Sequence, residues 1–216
     1  MIITLDGPAG SGKSTVAEKL AEVLGFDCLP TGRMYRAVAL AGLRRGVDWS
    51  QPDDLLEICR TANITMDGSR VFLDGEDVSQ EVETREVTAV TKYAAGHPKI
   101  REWLTHLQRE YAKGHSCVTE GRDQGTEVFP NAEYKFFLEA TPEERARRRF
   151  VQKQQLGEPA DYEEILRGIL QRDDEDAHRP VGAMRKADDA MVIVTDGMTA
   201  DQVVSRLKRI LDGCRE

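Results

Sequence analysis

Residues 2–15 read Ile2-Ile3-Thr4-Leu5-Asp6-Gly7-Pro8-Ala9-Gly10-Ser11-Gly12-Lys13-Ser14-Thr15, and this stretch decides the fold. Gly7 to Ser14 is a complete match to G-x-x-x-x-G-K-[ST], the phosphate-cradling P-loop. Ile2 to Leu5, apolar or β-branched, lead into it as a buried strand. Behind it Val16, Leu20, Val23 and Leu24 recur at helical spacing, with Glu18, Lys19 and Glu22 between them. Strand, glycine-rich turn and helix form the context in which the motif is specific. Its glycines let the main chain approach an anion and aim successive N–H groups at it. The helix N-terminus adds a partial positive charge. Lys13 can reach terminal phosphates, and the Ser14 hydroxyl can ligate Mg²⁺.

Working outward, 216 residues suffice for a full core in one domain with insertions. A net charge of −8 argues against a broad nucleic-acid surface. An acidic protein that binds phosphates must instead gather its cations in one pocket. Cys28, Cys59, Cys117 and Cys214 are 31, 58 and 97 residues apart, which suits neither a zinc site nor a disulfide scaffold, so reduced thiols are expected. No apolar run approaches a membrane span, and the N-terminus has no signal-peptide pattern. These features predict a cytoplasmic protein without membrane contact.

Downstream, Phe26 to Leu29 reads as a second strand ending in a Pro30-Thr31-Gly32 turn, followed by a helix with Met34, Ala37, Val38, Ala41 and Leu43 on its apolar side. A polar turn from Ser50 precedes a short helix over Leu55 to Cys59. Asn63 to Asp74 alternates as a hairpin turning at Asp67-Gly68, which marks an insertion. Glu86 to Tyr111 is helical, broken at His97-Pro98. Strands follow at Ser116 to Thr119, Tyr134 to Leu138 and Met191 to Val194. Capping boxes are expected at Thr141/Glu144, Asp161/Glu164 and Thr199/Gln202, each opening a helix. Alternating strands and helices predict an α/β fold of the P-loop NTPase type, a parallel sheet with helices on both faces. Ligands of such sheets sit beyond the carboxyl ends of the strands. The P-loop, Thr31-Gly32 and Gly121-Arg122-Asp123 fall at such ends and should line one cleft.

A P-loop selects the donor nucleotide, and the arginines discriminate the acceptor. Arg36, Arg101, Arg122, Arg172 and Arg179 are spread along the chain, with Asp123 and Asp176 beside them. Phosphoryl transfer between two phosphorylated molecules gathers negative charge that fixed guanidinium forks neutralise and orient. The alternative for Arg172 and Asp176 is a surface i,i+4 pair, with Pro180 ending the helix near Arg179. The basic run Arg145 to Arg149 is either a set of helix ion pairs (Glu143–Arg147, Glu144–Arg148) or a mobile lid over ATP. His97, His106, His115 and His178 have no partner pattern and are expected at the surface.

These residues together resemble the bacterial cytidylate kinases, a family of nucleoside monophosphate kinases. The resemblance rests on Asp6 to Thr15, Thr31-Gly32 with Met34-Tyr35-Arg36-Ala37, Gly121-Arg122-Asp123 with Gly125-Thr126 and Val128-Phe129-Pro130, Glu144-Arg145-Ala146 with Arg148-Arg149, and Arg172-Asp173 with Asp176 and Arg179. It implies a single P-loop kinase domain over 1–216, with a monophosphate-binding insertion at about 62–95 and a short lid at about 145–160. It implies transfer from ATP to CMP or dCMP with Mg²⁺ held at Ser14. Gly7 to Thr15 and Arg148 would bind ATP, and Lys13, Arg122 and Arg172 would be catalytic. Thr31 belongs to the acceptor side. Residues matching Arg36, Arg122 and Arg172 hold the acceptor phosphate, those matching Arg101 and Asp123 read cytosine, and those matching Asp176 and Arg179 contact the sugar. A monomer acting on small nucleotides, without nucleic acid, is expected.

The chain departs from the family pattern on the acceptor side. Pro30 stands where an Asp is usual, Arg33 where a small residue is usual, and Lys92 where a small hydroxyl residue helps read the base. Glu175 lies where some members carry another arginine. The expectation is retained CMP kinase chemistry with weakened or altered base discrimination. Two alternatives stand beside it: another acceptor (UMP, another monophosphate, or a small metabolite such as shikimate), or a nucleotide switch. No Asn-Lys-x-Asp guanine reader is present for the latter.

Overall fold

The computed structural model describes residues 1–213, so Cys214 lies outside the described residues. Five strands form the central sheet: β1 (Ile2–Asp6), β2 (Asp27–Pro30), β6 (Cys117–Gly121), β7 (Tyr134–Glu139) and β8 (Met191–Val194). Their order is β2-β6-β1-β7-β8, and every pairing is parallel. β1 is central, with Leu5 opposite Glu120 of β6 and Phe136 of β7. β1, β2, β6 and β7 are mostly buried, as parallel strands covered on both faces are, whereas at the edge strand β8 only Ile193 is buried. Helix α1 (Lys13–Leu24) and helix α8 (Ala200–Leu211) pack on the sheet, where Val16, Leu20, Val203 and Leu207 meet Ile3, Leu5, Phe136 and Ile193. Each such fully buried side chain contributes about 2 kcal/mol of transfer free energy.

A second core forms around helix α2 (Thr31–Arg45). It gathers Val38 and Leu40 with Ile58 of α3 (Leu56–Thr61), Val87 of α4 (Arg85–Gly96), and Ile100 and Leu104 of α5 (Pro98–Ala112). The inserted hairpin is part of this core. Strands β3 (Ile64–Asp67), β4 (Arg70–Leu73) and β5 (Glu76–Asp77) make a small antiparallel sheet, and Val71 and Leu73 of β4 are buried against α2. The hairpin turns at Gly68-Ser69 rather than at Asp67-Gly68, because Asp67 pairs in register with Arg70. A third strand, β5, was not evident from so short and acidic a stretch.

The Pro30-Thr31-Gly32 turn is not a turn. β2 runs through Pro30, and α2 begins at Thr31 directly. Proline is tolerated there because β2 is an edge strand, and the Thr31 hydroxyl donates to the Glu120 carbonyl at 2.8 Å. Of the three capping boxes, Thr199/Gln202 is reciprocal. Thr141 accepts from Glu144 N, but its own N–H goes to Asp196 instead of Glu144. Asp161 accepts from Glu164 N at 2.7 Å. These caps open α6 (Pro142–Gln155) and α7 (Tyr162–Ala177), which pack as a helical hairpin beside the P-loop. No helix is long and apolar enough to cross a membrane among the described residues.

Candidate active site

The P-loop joins β1 to α1 under tight constraint. Gly7 has φ +139°, and a Cβ there would lie 2.2 Å from the Leu138 carbonyl oxygen, so only glycine fits. α1 starts behind Gly12 with no side chain capping it. Its first-turn N–H groups are therefore left for an external acceptor, and the helix dipole favours an anion there. Lys13 is buried and folded back, donating to the Pro8 carbonyl at 2.6 Å. Burial, reinforced by Arg122 and Arg172, pushes its pKa well below the usual lysine range. Asp6, at the end of β1, accepts from Gln124 N at 2.9 Å and Gly125 N at 2.7 Å. It thereby ties the P-loop strand to the loop that carries Arg122 and Asp123. Burial raises the Asp6 pKa from 3.8 to about 6 against those two hydrogen bonds.

Beyond the strand ends lies a cavity of about 630 Å³. Ala9, Gly10, Lys13, Ser14 and Thr15 line its donor side. Thr31, Arg36, Arg101, Arg122, Asp123, Arg172, Asp176 and Arg179 line the rest. Chain-distant residues are thus brought to one place, while Gly7, Pro8, Ser11 and Gly12 form the body of the loop behind it. Arg172 makes no ion pair among the described residues; burial and the neighbouring Arg122 push its pKa down to about 10. Such a concentration of cations is stable only facing anions.

At the far end Arg101 and Asp123 form an almost fully buried ion pair, their side chains 5% and 6% exposed. Arg101 also donates to the Ala95 carbonyl at 3.1 Å and lies over the Tyr35 ring, 5.2 Å from its centroid. The Arg101 Nε and the Tyr35 hydroxyl are buried without a hydrogen-bond partner. Burial pushes the Tyr35 phenol up to about 12. Asp176 is not paired with Arg172, the i,i+4 alternative; it accepts from Arg122 Nε at 2.7 Å and from Arg179. Burial alone would raise its pKa, but Arg122 and Arg179 hold it below the usual carboxylate range. α7 ends at Ala177, so Arg179 lies past the helix and reaches back to Asp176.

The basic run is divided by its helix. Arg145 is buried and bidentate to Asp173 at 2.9 and 2.6 Å, so it is fixed rather than mobile. Arg147 and Arg148 both bond Glu144, and no Glu143–Arg147 pair forms. Arg148 points to Ser11 O at 3.3 Å and to Thr195, bracing the P-loop from outside the cavity. Arg149 enters the cleft instead, beside Gly10, with no ion pair among the described residues. The basic run and the Arg148-Arg149 pair of the family resemblance both include it, but neither distinguishes it from Arg148 as the residue that enters the cleft. Lys92 is exposed, its ammonium over the Tyr93 ring, and Thr91 is the residue that lines the cavity. Glu175 is exposed and bonds Gln171. His97 is not a surface residue: at the α4–α5 junction its side chain is 10% exposed, whereas His106, His115 and His178 are exposed as expected. Cys28, Cys59 and Cys117 are free thiols.

A parallel sheet whose central strand delivers a P-loop into an arginine-lined cleft defines a P-loop kinase. The fold is shared by shikimate kinase from Bacteroides thetaiotaomicron, at TM-score 0.51 and 15% identity, covering 98% of each chain. A sequence model of the cytidylate kinase family matches residues 3–212. Cytidylate kinase from Rhodopirellula baltica is 49% identical over 99% of this chain and 93% of its own length. Its counterpart from Caldanaerobacter subterraneus is 43% identical over 95% and 92%. The chain belongs to the cytidylate kinase family.

Proposed function

We propose that this enzyme transfers the γ-phosphoryl group of ATP to CMP and dCMP, giving CDP and dCDP. One observation carries the reading beyond family membership: the buried Arg101–Asp123 pair closes the same cleft that begins at Lys13. Cytosine presents an N4 amine donor beside the N3 and O2 acceptors, which complements one carboxylate and one guanidinium side by side. The acceptor phosphate would lie between the base pocket and the P-loop, within reach of Arg36, Arg122 and Arg172.

The P-loop amides and Lys13 hold the ATP phosphates, and an acceptor phosphate oxygen attacks the γ-phosphorus in line. That oxygen is already nucleophilic near neutral pH, so no general base is required. The arginines screen the charge that accumulates, which is most of what a protein can do in this reaction. The donor set suits Mg²⁺: no cluster of three or more metal-binding side chains exists among the described residues, whereas the Ser14 hydroxyl is exposed beside Lys13. Mg²⁺ is commonly held by one or two protein oxygens together with phosphates and water. When bound, it would neutralise charge on the transferring phosphates.

We read residues of about 62–95 as the acceptor-binding insertion and residues of about 145–160 as the lid, with Arg145 anchored to Asp173 at its base. Closure of the two excludes water that would compete as acceptor. Every residue invoked comes from one chain, so the reading needs only a monomer, and ATP and CMP as substrates suit a cytoplasmic enzyme. The test is ADP release with ATP and Mg²⁺, offering CMP, dCMP, UMP, AMP and GMP separately. Selective turnover of CMP and dCMP is expected, against the weakened discrimination read from Lys92, because Thr91 and not Lys92 lines the cavity; equal turnover of UMP, or none with any of them, would overturn the assignment.

A further inference from the structure

Arg36, unlike Arg149 and Arg172, does not face the cleft alone. Glu83, which ends the short turn Glu81–Glu83 before α4, places one carboxylate oxygen on Arg36 and the other on Arg33 Nε at 3.2 Å. All three residues line the cavity. Arg33 and Arg36 are one turn apart on α2, so a single carboxylate from the insertion spans two guanidinium groups on the facing wall. The acceptor side of the cleft thus already contains an anion, seated where the phosphate of an acceptor is read to bind.

A phosphate arriving at Arg36 meets Glu83 as a like charge at close range, and a carboxylate on the same guanidinium competes for the same donors. Glu83 therefore has to leave Arg36. Arg33 offers it a place to stay. That guanidinium is anchored independently, donating to the Ser69 carbonyl at 2.5 Å and lying 3.5 Å from Glu18. Both Arg33 and Arg36 are largely covered, their side chains 25% and 21% exposed, while Glu83 is 46% exposed and able to swing. We propose that Glu83 is a displaceable counter-ion that occupies Arg36 until the acceptor phosphate takes its place, and that Arg33 is the positioning residue that retains Glu83 after the exchange. The proposal rests on the reading of Arg36 as an acceptor-phosphate ligand.

The experiment is a comparison of steady-state KM for CMP, at saturating ATP and Mg²⁺, in Glu83→Gln, Arg33→Gln and the double variant. Glu83→Gln should lower KM about threefold, the scale of a partly exposed ion pair, with kcat little changed. Arg33→Gln should raise KM by a similar factor, because Glu83 then remains on Arg36. In the double variant KM should return to the Glu83→Gln value, since without the carboxylate Arg33 has nothing to retain. Inhibition by inorganic phosphate competing with CMP should tighten in Glu83→Gln, an equilibrium readout that does not depend on turnover. A rise of KM in Glu83→Gln, or additive losses in the double variant, would overturn the proposal, because a purely structural bridge behaves that way. Arg36→Met distinguishes the two levels: an unchanged KM there would refute the role of Arg36 itself, whereas a raised KM with no effect of Glu83→Gln would refute only the exchange.

Discussion

Gly182 lies flat against the guanidinium of Arg101: a Cβ at Gly182 would come within 1.9 Å of Arg101 Cζ. The glycine also has φ +66°, so the segment after α7 folds over the arginine with no side chain of its own. Arg101 is thus enclosed by backbone behind, the Tyr35 ring on a face, and Asp123 at its end. Replacing Gly182 by Ala should push the guanidinium out of position. The expected outcome is an increase of about tenfold in KM for CMP, the scale of losses caused by small misplacement of a binding group. The KM for ATP should stay within twofold, on the order of the ordinary scatter of a remote substitution. Separate titrations of each substrate measure both.

Arg149 and Arg148 are neighbours with different duties. Arg149→Met should reduce kcat about a hundredfold, the order found when one fixed donor to developing charge is removed. Arg148→Met removes bonds to Ser11 and Thr195 that support the P-loop from outside. It should lower the thermal midpoint by roughly 2–4 °C per kcal/mol lost in a chain of this size. Calorimetry on both variants, set beside kcat, separates the two roles.

The Thr91 hydroxyl donates its proton to the Val87 carbonyl at 2.7 Å, so toward the cleft it can only accept. An acceptor there suits the cytosine amine and not the uracil carbonyl at the same ring position. Thr91→Val should reduce the CMP/UMP ratio of kcat/KM by roughly tenfold, as expected for one lost hydrogen bond. Lys92→Ala should leave that ratio unchanged, because its ammonium sits outside the cavity over Tyr93. Parallel kinetics with the two monophosphates check both statements.

Asp6 links stability to pH. Its pKa is raised on folding from 3.8 to about 6, with burial the largest cause. The folded state therefore binds a proton more readily than the unfolded chain. That contribution is fully present below 3.8 and is lost as pH rises through about 6. Relative to Asp6→Asn, which cannot titrate, the wild-type protein should gain about 2 kcal/mol between pH 7 and pH 4. Urea unfolding of the two proteins across that range measures the difference.

The reach of the sequence differs between the fold and the site. The order of strands and helices was legible because burial on both faces of a parallel sheet imposes apolar runs, and P-loop chemistry demands particular glycines next to Lys13 and Ser14. The arginines of the cleft were legible for a related reason: each stands beside a strand end or within a spacing that a phosphate-handling site uses. What the resemblance left open was direction. Thr91 and Lys92 are adjacent on α4, as are Arg148 and Arg149 on α6, and a rotation of about 100° per residue sends one member of each pair into the cleft and the other away.

Partnership across the chain was likewise decided only by the tertiary structure. Asp176 could have paired with Arg172 four residues earlier, but packing of α7 against the β6 loop gives it Arg122, 54 positions away, together with Arg179. Glu83 meets Arg36 across 47 positions, and Gly182 lies against Arg101 from a distant part of the chain. Local sequence specifies which groups a segment carries and how strand and helix periodicities present them. Which opposite charges share a buried space depends on how the two cores pack around one sheet, and that is a property of the folded chain as a whole.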